Sequence, residues 1–257
     1  MTETNLQQQT RQAADLLLNS KHAVALTGAG MSTPSGIPDF RSSHSGIWSE
    51  VDRIEIASLS SFRYDPDKFY GWFHSVAQMI WSAEPNDAHT ALASLEKAGL
   101  LEGIVTQNVD GLHQRPGSIN VNEIHGHLRE AVCVDCLQHH DSESLFENFV
   151  ATGIPPNCSS CGGHLKPEVV FFGEQLPHEA IAAANALFNS TDMVIIGGSS
   201  LEVAPASELP FRALEHSARL VIINREPTYL DSRTDVVLTG DVAELVPLIV
   251  GEVHLEQ

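Results

Sequence analysis

The sequence predicts an α/β chain: a mostly parallel sheet with helices on both faces, carrying a small inserted module. Two observations predict it. Short β-like apolar runs alternate with segments of helical period along the chain. That order breaks once, between about Arg129 and Lys166, where all four cysteines fall. With 257 residues, 42% of them hydrophobic, the chain can bury a full core, which sets aside disordered and fibrous classes.

Taken in order, the polar stretch from about Asn5 to Leu18, with its Ala and Leu residues, reads as an amphipathic helix. Ala23–Thr27 reads as a short buried strand, ended by Gly28 and Gly30. Ser42 to Ser61 has no clear period and reads as a mobile loop region. Helical patterns follow near Pro66–Ser82 and Ala88–Ala98, then a β-like run at Gly103–Thr106. Within the break, the cysteine pairs flank a short acidic helical stretch and a Gly/Pro-rich loop. Beyond it come a helix near Pro177–Asn189, strands at Met193–Ile196 and Leu220–Ile223, and a helix near Asp241–Val250. No internal repeat is present in the sequence.

Fourteen Lys plus Arg against 33 Asp plus Glu give a formal net charge of −19. Such a charge repels phosphate backbones and anionic membrane surfaces and suits cationic protein or peptide partners, with solubility alone as the alternative reading. The opening MTETNLQQQT lacks the basic start and apolar core of a secretory signal. No apolar run approaches the roughly 20 residues that span a bilayer. The expectation is therefore a cytoplasmic chain with no direct nucleic-acid partner and no membrane; a monomer is favoured, with the oligomeric state left open. Its cysteines then need a purpose other than disulfides.

Cys133/Cys136 and Cys158/Cys161 form two C-x-x-C pairs separated by 21 residues, the spacing of two knuckles of a tetrahedral zinc site. Four thiolates fill the tetrahedron and leave no position for water, so this Zn²⁺ is structural, one per chain, stabilising a module with little core of its own. A pair of redox dithiols is the alternative. His139, His140 and His164 lie nearby and read as surface residues.

A strand followed by Gly28-Ala29-Gly30-Met31-Ser32 suits a nucleotide pyrophosphate, because glycines let the backbone approach and free N–H groups face the phosphates. A tight turn is the plainer explanation. Thr33 stands where the dehydrogenase fingerprint wants a third glycine, and no acidic strand end follows about 20 residues later, which disfavours hydride transfer.

Further motifs follow: Ser35-Gly36-Ile37-Pro38-Asp39-Phe40-Arg41, Thr106-Gln107-Asn108-Val109-Asp110-Gly111-Leu112-His113, His125-Gly126, the two cysteine pairs, Lys166-Pro167-Glu168-Val169-Val170-Phe171-Phe172-Gly173-Glu174, Gly198-Ser199-Ser200-Leu201-Glu202-Val203 and Ile223-Asn224-Arg225-Glu226. In these, from about Ala23 to Val242, the chain resembles the sirtuin family of NAD-dependent protein-lysine deacylases. The resemblance implies a Rossmann-like sheet over about 1–36, 85–128 and 167–257. It implies a smaller part over about 37–84, helical and loop, and 129–166, zinc-binding, the whole forming one catalytic unit.

The resemblance further implies that NAD is a co-substrate and acyl-lysine proteins or peptides are the partners. Nicotinamide and O-acyl-ADP-ribose are the implied products. His125 matches the family's general base, suited by an imidazole pKa of about 6.5. Asn108 matches the residue that holds the ribose and an ordered water. Gly28, Ala29, Gly30, Asp39, Phe40, Arg41, Gln107 and Asp110 match contacts to the nicotinamide, ribose and phosphate portions of NAD. Gly197, Ser199, Ser200, Asn224, Glu226 and Val242 match its adenosine side. Val170 and Phe172, alternating along an apparent strand, match the acyl-lysine channel. Gly173, Glu174, Glu202 and Val203 match segments that bracket the peptide as an added strand. Turn, cap, core and surface roles remain the alternatives residue by residue. Members that prefer acidic acyl groups carry Tyr-x-x-Arg, absent from Arg63-Tyr64 and Tyr70-Gly71-Trp72-Phe73, so neutral acyl groups are expected. Mono-ADP-ribosyl transfer and a non-catalytic NAD sensor are the alternative functions.

Overall fold

The computed structural model describes residues 3–39 and 55–255. In chain order the strands are β1 (Ala23–Thr27), β2 (Gly103–Thr106), β3 (Val121–Glu123), β4 (Gly126–Cys133), β5 (His139–Asp141), β6 (Leu165–Val169), β7 (Met193–Gly197), β8 (Arg219–Asn224) and β9 (Val236–Thr239). The α-helices are α1 (Glu3–Leu18), α2 (Leu59–Tyr64), α3 (Pro66–Ser82), α4 (Asp87–Lys97), α5 (Glu143–Thr152), α6 (His178–Ser190), α7 (Leu209–Glu215) and α8 (Val242–Leu255).

Six strands form one sheet in the order β3-β2-β1-β7-β8-β9, with every neighbouring pair parallel. Alternation with both faces buried explains the continuous apolar runs. Ala23 and Ala25 of β1 face a core built with Leu17 of α1, Leu92 of α4 and Val246 of α8. Val24 and Leu26 face the opposite core, with Phe188 of α6 and Ala213 of α7. Each fully buried Leu or Ile in these layers contributes on the order of 1.5–3 kcal/mol. The chain order reverses between β1 and β7, whose ends pair as Thr27 with Gly197. A crevice outside the carboxyl ends of the strands therefore opens at this point, where open α/β sheets take ligands.

A second, antiparallel sheet has the order β5-β4-β6. Its core is aromatic. Phe69, Tyr70 and Phe73 of α3 pack with Phe146 and Phe149 of α5, with Phe62 of α2, and with Cys133, Cys158 and Phe171. Helix α3 is capped by the Asp65 side chain, which accepts from Lys68 N at 3.0 Å, and begins at Pro66, so its start is written locally.

Three sequence expectations differ here. The segment Ser42–Ser61 lies outside the described residues up to 54, but its end enters α2, whose six residues are too few to show a period and are set by the Ser58 cap accepting from Ser61 N. Strand β6 stops at Val169, so Val170 and Phe172 do not alternate along one strand. Phe172 instead makes a lone parallel bridge with Ser58. The last helix runs through Pro247 to Leu255, because Leu245, Val246, Ile249 and Val253 keep one face buried.

Candidate active site and metal centre

Two loops meet over the β1–β7 pair. After β1, Gly28 leads into a 3-10 turn, Ala29–Met31, and a second, Thr33–Ser35. After β7 comes Gly198, at φ 61°. A Cβ at Gly28 would stand 2.9 Å from the Gly198 carbonyl oxygen, and one at Gly30 would stand 2.8 Å from Gly198 Cα. Loop-to-loop packing thus demands glycine at both positions before any ligand is considered. It also corrects the expectation of free N–H groups at the two glycines. Gly28 N donates to Gly197 O at 3.2 Å, and Gly30 N donates to Gly198 O at 2.8 Å.

The loop after β2 closes the other wall. Asn108 Nδ2 donates to Gly28 O at 3.0 Å and to Ser32 Oγ at 3.1 Å, while Ser32 Oγ donates to Asp110 Oδ2 at 2.7 Å. The other oxygen of Asp110 accepts from Leu112 N at 2.9 Å. Burial raises the Asp110 carboxyl above its ordinary pKa, opposed by these two hydrogen bonds. Gln107 spans the crevice, its Nε2 donating to Ser199 Oγ at 2.9 Å.

His125 sits between β3 and β4. Its Nδ1 lies 2.9 Å from the Gln107 carbonyl, which can only accept, so Nδ1 carries the proton and Nε2 presents its lone pair. Burial, which favours the neutral ring, holds the imidazole pKa below its ordinary value, against the Gln107 hydrogen bond, which raises it. Gly126, at φ 79°, cannot carry a side chain, because a Cβ would overlap the Glu168 carbonyl across β4–β6.

The residues expected on the peptide side begin next along the chain from β6. Val170 N donates to His125 O at 2.9 Å, and Phe172 N donates to Ala57 O at 3.0 Å. Phe172 is half exposed. Gly173 has φ 87°. Glu174 turns inward: its carboxylate accepts from Phe171 N at 2.7 Å and pairs with the buried Lys166 ammonium at 3.0 Å. Val203 is half-buried, and Glu202 is exposed and accepts from Ser200 Oγ at 3.4 Å.

On the β7–β8 side, Gly198 N donates to Ile223 O at 3.0 Å, which sets Asn224 beside the same crevice, and Asn224 Nδ2 donates to Glu226 O at 2.8 Å. Ser199 is buried, and Ser200 and Glu226 are exposed. Val242 turns its side chain into the core with Met31. Asp39 is half-buried at the end of a described segment, and Phe40 and Arg41 lie outside the described residues. Residues that the sequence reading passed over are Ser32, which ties Asn108 to Asp110, and Thr27 and Thr106, whose hydroxyls meet at 2.9 Å. A polar residue ending each of two apolar strands was the available signal.

The cysteines gather as the spacing predicts. All four Sγ atoms lie within 4.8 Å of one another, with Cys133–Cys161 at 3.5 Å and Cys136–Cys158 at 3.7 Å. Zn–S bonds of about 2.3 Å in a tetrahedron place sulfurs about 3.8 Å apart. The short distances run between the knuckles, at a separation too long for disulfides and suited to a shared ion. His140 departs from its expected surface role: Nε2 lies 3.3 Å from Cys158 Sγ, where its N–H can support a thiolate. His139 is exposed and pairs with Glu168 at 3.2 Å, and His164 is half-buried.

The family model described as Sir2 family matches residues 28–205. An NAD-dependent protein deacetylase of Sulfurisphaera tokodaii is 44% identical, covering 92% of each chain. NAD-dependent protein deacylase 2 of Archaeoglobus fulgidus is 42% identical over 96% of this chain and 97% of its own. A solved Sir2 enzyme superposes with a TM-score of 0.90 at 42% identity, covering 97% of this chain and 99% of that one. Another, a Sir2 variant with deacetylated p53 peptide and 3'-O-acetyl ADP ribose, has a TM-score of 0.87 at 37% identity, covering 95% and 98%.

Proposed function

Because the chain belongs to the Sir2 family, we propose that it is an NAD-dependent protein-lysine deacylase working through His125 and Asn108. The observation that carries this reading is the wiring of His125: protonated Nδ1 on a fixed carbonyl, bare Nε2, and a pKa lowered by burial. It is a base held ready at neutral pH.

In the reaction the acyl-lysine carbonyl oxygen bonds to the ribose carbon that carries nicotinamide, and nicotinamide leaves with the electrons of the broken C–N bond. His125 Nε2 takes a proton from a ribose hydroxyl, whose oxygen then attacks the acyl carbon. Water completes the transfer, leaving lysine and O-acyl-ADP-ribose. Positive charge develops on the ribose at the first step, and the preorganised polar groups of Asn108 and Asp110 answer it.

We assign Gly28, Ala29, Gly30, Asp39, Phe40, Arg41, Gln107, Asn108 and Asp110 to the nicotinamide, ribose and phosphate portions of NAD. Gly197, Ser199, Ser200, Asn224, Glu226 and Val242 fall to its adenosine side. Because the N–H groups of Gly28 and Gly30 are already bonded, these two glycines contribute shape more than donors. Val170 and Phe172 serve the acyl-lysine, and Gly173, Glu174 and Val203 the peptide. With its carboxylate held by Lys166, Glu174 offers backbone only. Backbone pairing tolerates many sequences. Lacking Tyr-x-x-Arg, the channel takes neutral acyl groups, in keeping with a 37% identical structure described as Sir2Tm bound to a propionylated peptide.

The four cysteines hold Zn²⁺ away from His125's wiring, as a structural ion. The smaller part comprises about 37–84 and 129–166 and the larger the remainder, in one catalytic unit. No helix among the described residues is long and apolar enough to cross a membrane. A cytoplasmic monomer without nucleic-acid contacts completes the reading.

The test is mass spectrometry of an acetyl-lysine peptide with and without NAD. Deacetylated peptide and O-acetyl-ADP-ribose are expected only with NAD, and His125→Ala is expected to lower their formation by about 10²-fold or more. ADP-ribose transferred to protein would establish the transferase instead, and NAD binding without nicotinamide release would establish a sensor.

A further inference from the structure

Behind the crevice lie two histidines that the mechanism does not use. His89, on α4, is fully buried, and His113, after the Asp110 loop, is 1% exposed. Their rings meet edge to face, 4.8 Å between centroids. Burial lowers the pKa of His89 to about 4 and that of His113 to about 3, the latter also through its neighbour, so both rings are neutral at neutral pH. Among the described residues, Nε2 of His89 and Nδ1 of His113 find no hydrogen-bond partner. Apolar side chains would fill this space without that cost, so the remaining nitrogens must serve a purpose.

Both nitrogens reach toward the loops of the crevice. His113 Nε2 lies 2.9 Å from Thr27 Oγ1, which lies 2.9 Å from Thr106 Oγ1, and that oxygen accepts from Asn108 N at 3.0 Å. On the other side, His89 Nδ1 accepts from Asn86 N at 3.3 Å. Asn86 Nδ2 in turn donates to Met31 O and Ser35 Oγ, each at 2.9 Å. One histidine thus steadies the loop that carries Asn108, and the other steadies the loop that carries Ser32. These loops meet where Asn108 donates to Gly28 O and Ser32 Oγ.

We propose that the edge-to-face pair His89–His113 consists of positioning residues, which set the Asn108 loop against the Gly28–Ser35 loop from beneath through the Thr27–Thr106 hydroxyls and through Asn86. This rests on the deacylase reading of the same site. Neither ring touches substrate, and the pair acts by holding Asn108 where the reaction needs it, since small displacements of a reacting constellation are costly in rate.

The experiment compares His113→Phe, which keeps a ring against His89 but not the bond to Thr27, with His113→Gln, which can restore a polar contact. Thr106→Val and the double variant Thr106→Val/His113→Phe complete the set. Turnover of acetyl peptide is measured per folded molecule, with the folded fraction taken from circular dichroism. His113→Phe and Thr106→Val are each expected to lower kcat about tenfold, leaving KM for the peptide within about twofold. His113→Gln recovers most of the loss, and the double variant is no worse than the poorer single one, because both cut one chain of bonds. A wild-type kcat per folded molecule in Thr106→Val, or multiplicative losses in the double variant, would overturn the proposal. Should His113→Phe not fold, Thr106→Val and His113→Gln decide alone: loss in the first with near wild-type kcat in the second supports it, and any other pattern overturns it. Wild type assayed in parallel separates the two ideas, since absence of NAD-dependent turnover there refutes the deacylase reading itself.

Discussion

The base we propose, His125, is useful only in the form that has room for a proton, the neutral imidazole with Nε2 bare. Its burial lowers the pKa from the ordinary value near 6.5, so the protonated, inactive form takes over only below about pH 6.5. The acidic limb of kcat/KM, which reports the free enzyme, is therefore expected to have its midpoint below about pH 6.5 and to fall about tenfold per pH unit beneath it. A pH–rate profile checks this, and a midpoint above 6.5 would mean that a facing carboxylate outweighs burial. His125 and Asn108 could be singled out in the sequence, because each stands inside a motif that resembles the family's. Ser32, Thr27 and Thr106 could not, because a hydroxyl acquires its role only from what lies across from it, 76 to 86 residues away in the chain.

At the scale of elements, the cysteine knuckles and α3 share one aromatic core, in which Cys133 and Cys158 sit beside Phe69, Phe73 and Phe149. The metal and this core therefore stand or fall together, whereas the two cores of the parallel sheet contain no cysteine. Replacing the exposed Cys136 by Ser is expected to lower bound zinc to well under one equivalent and to lower Tm by about 10 °C or more. Metal analysis and near-ultraviolet dichroism from Trp72 in the same core would register both, while most far-ultraviolet signal from the parallel sheet persists. A stable variant with a full complement of zinc would show that His140, beside Cys158, can take the missing place. Elements of ten or more residues, such as α3, were readable from period and cap. Strands β3 and β9 and helices α2 and α7 were not, since each is held by neighbours more than by its own pattern.

For the whole molecule, a net charge of −19 sets a long-range field that favours cationic peptides on approach. Acetyl-lysine peptides flanked by Lys and Arg are expected to show kcat/KM falling severalfold between about 0.05 and 0.5 M salt, while peptides flanked by Asp and Glu rise, as screening shortens the reach of the field. Equal salt responses for the two would place the negative charge away from the peptide route. The sequence by itself determined the alternation of strand and helix, the zinc knuckles and the family motifs. These are properties of local period, spacing and residue chemistry, and they survive without knowledge of what packs against them. Only the tertiary structure decided that the first glycines serve the packing of one loop on another, that Glu174 turns inward to Lys166, and that His89 and His113 meet edge to face beneath Asn108. Each of those depends on groups brought together by folding from distant parts of the chain, and no window of sequence contains both partners.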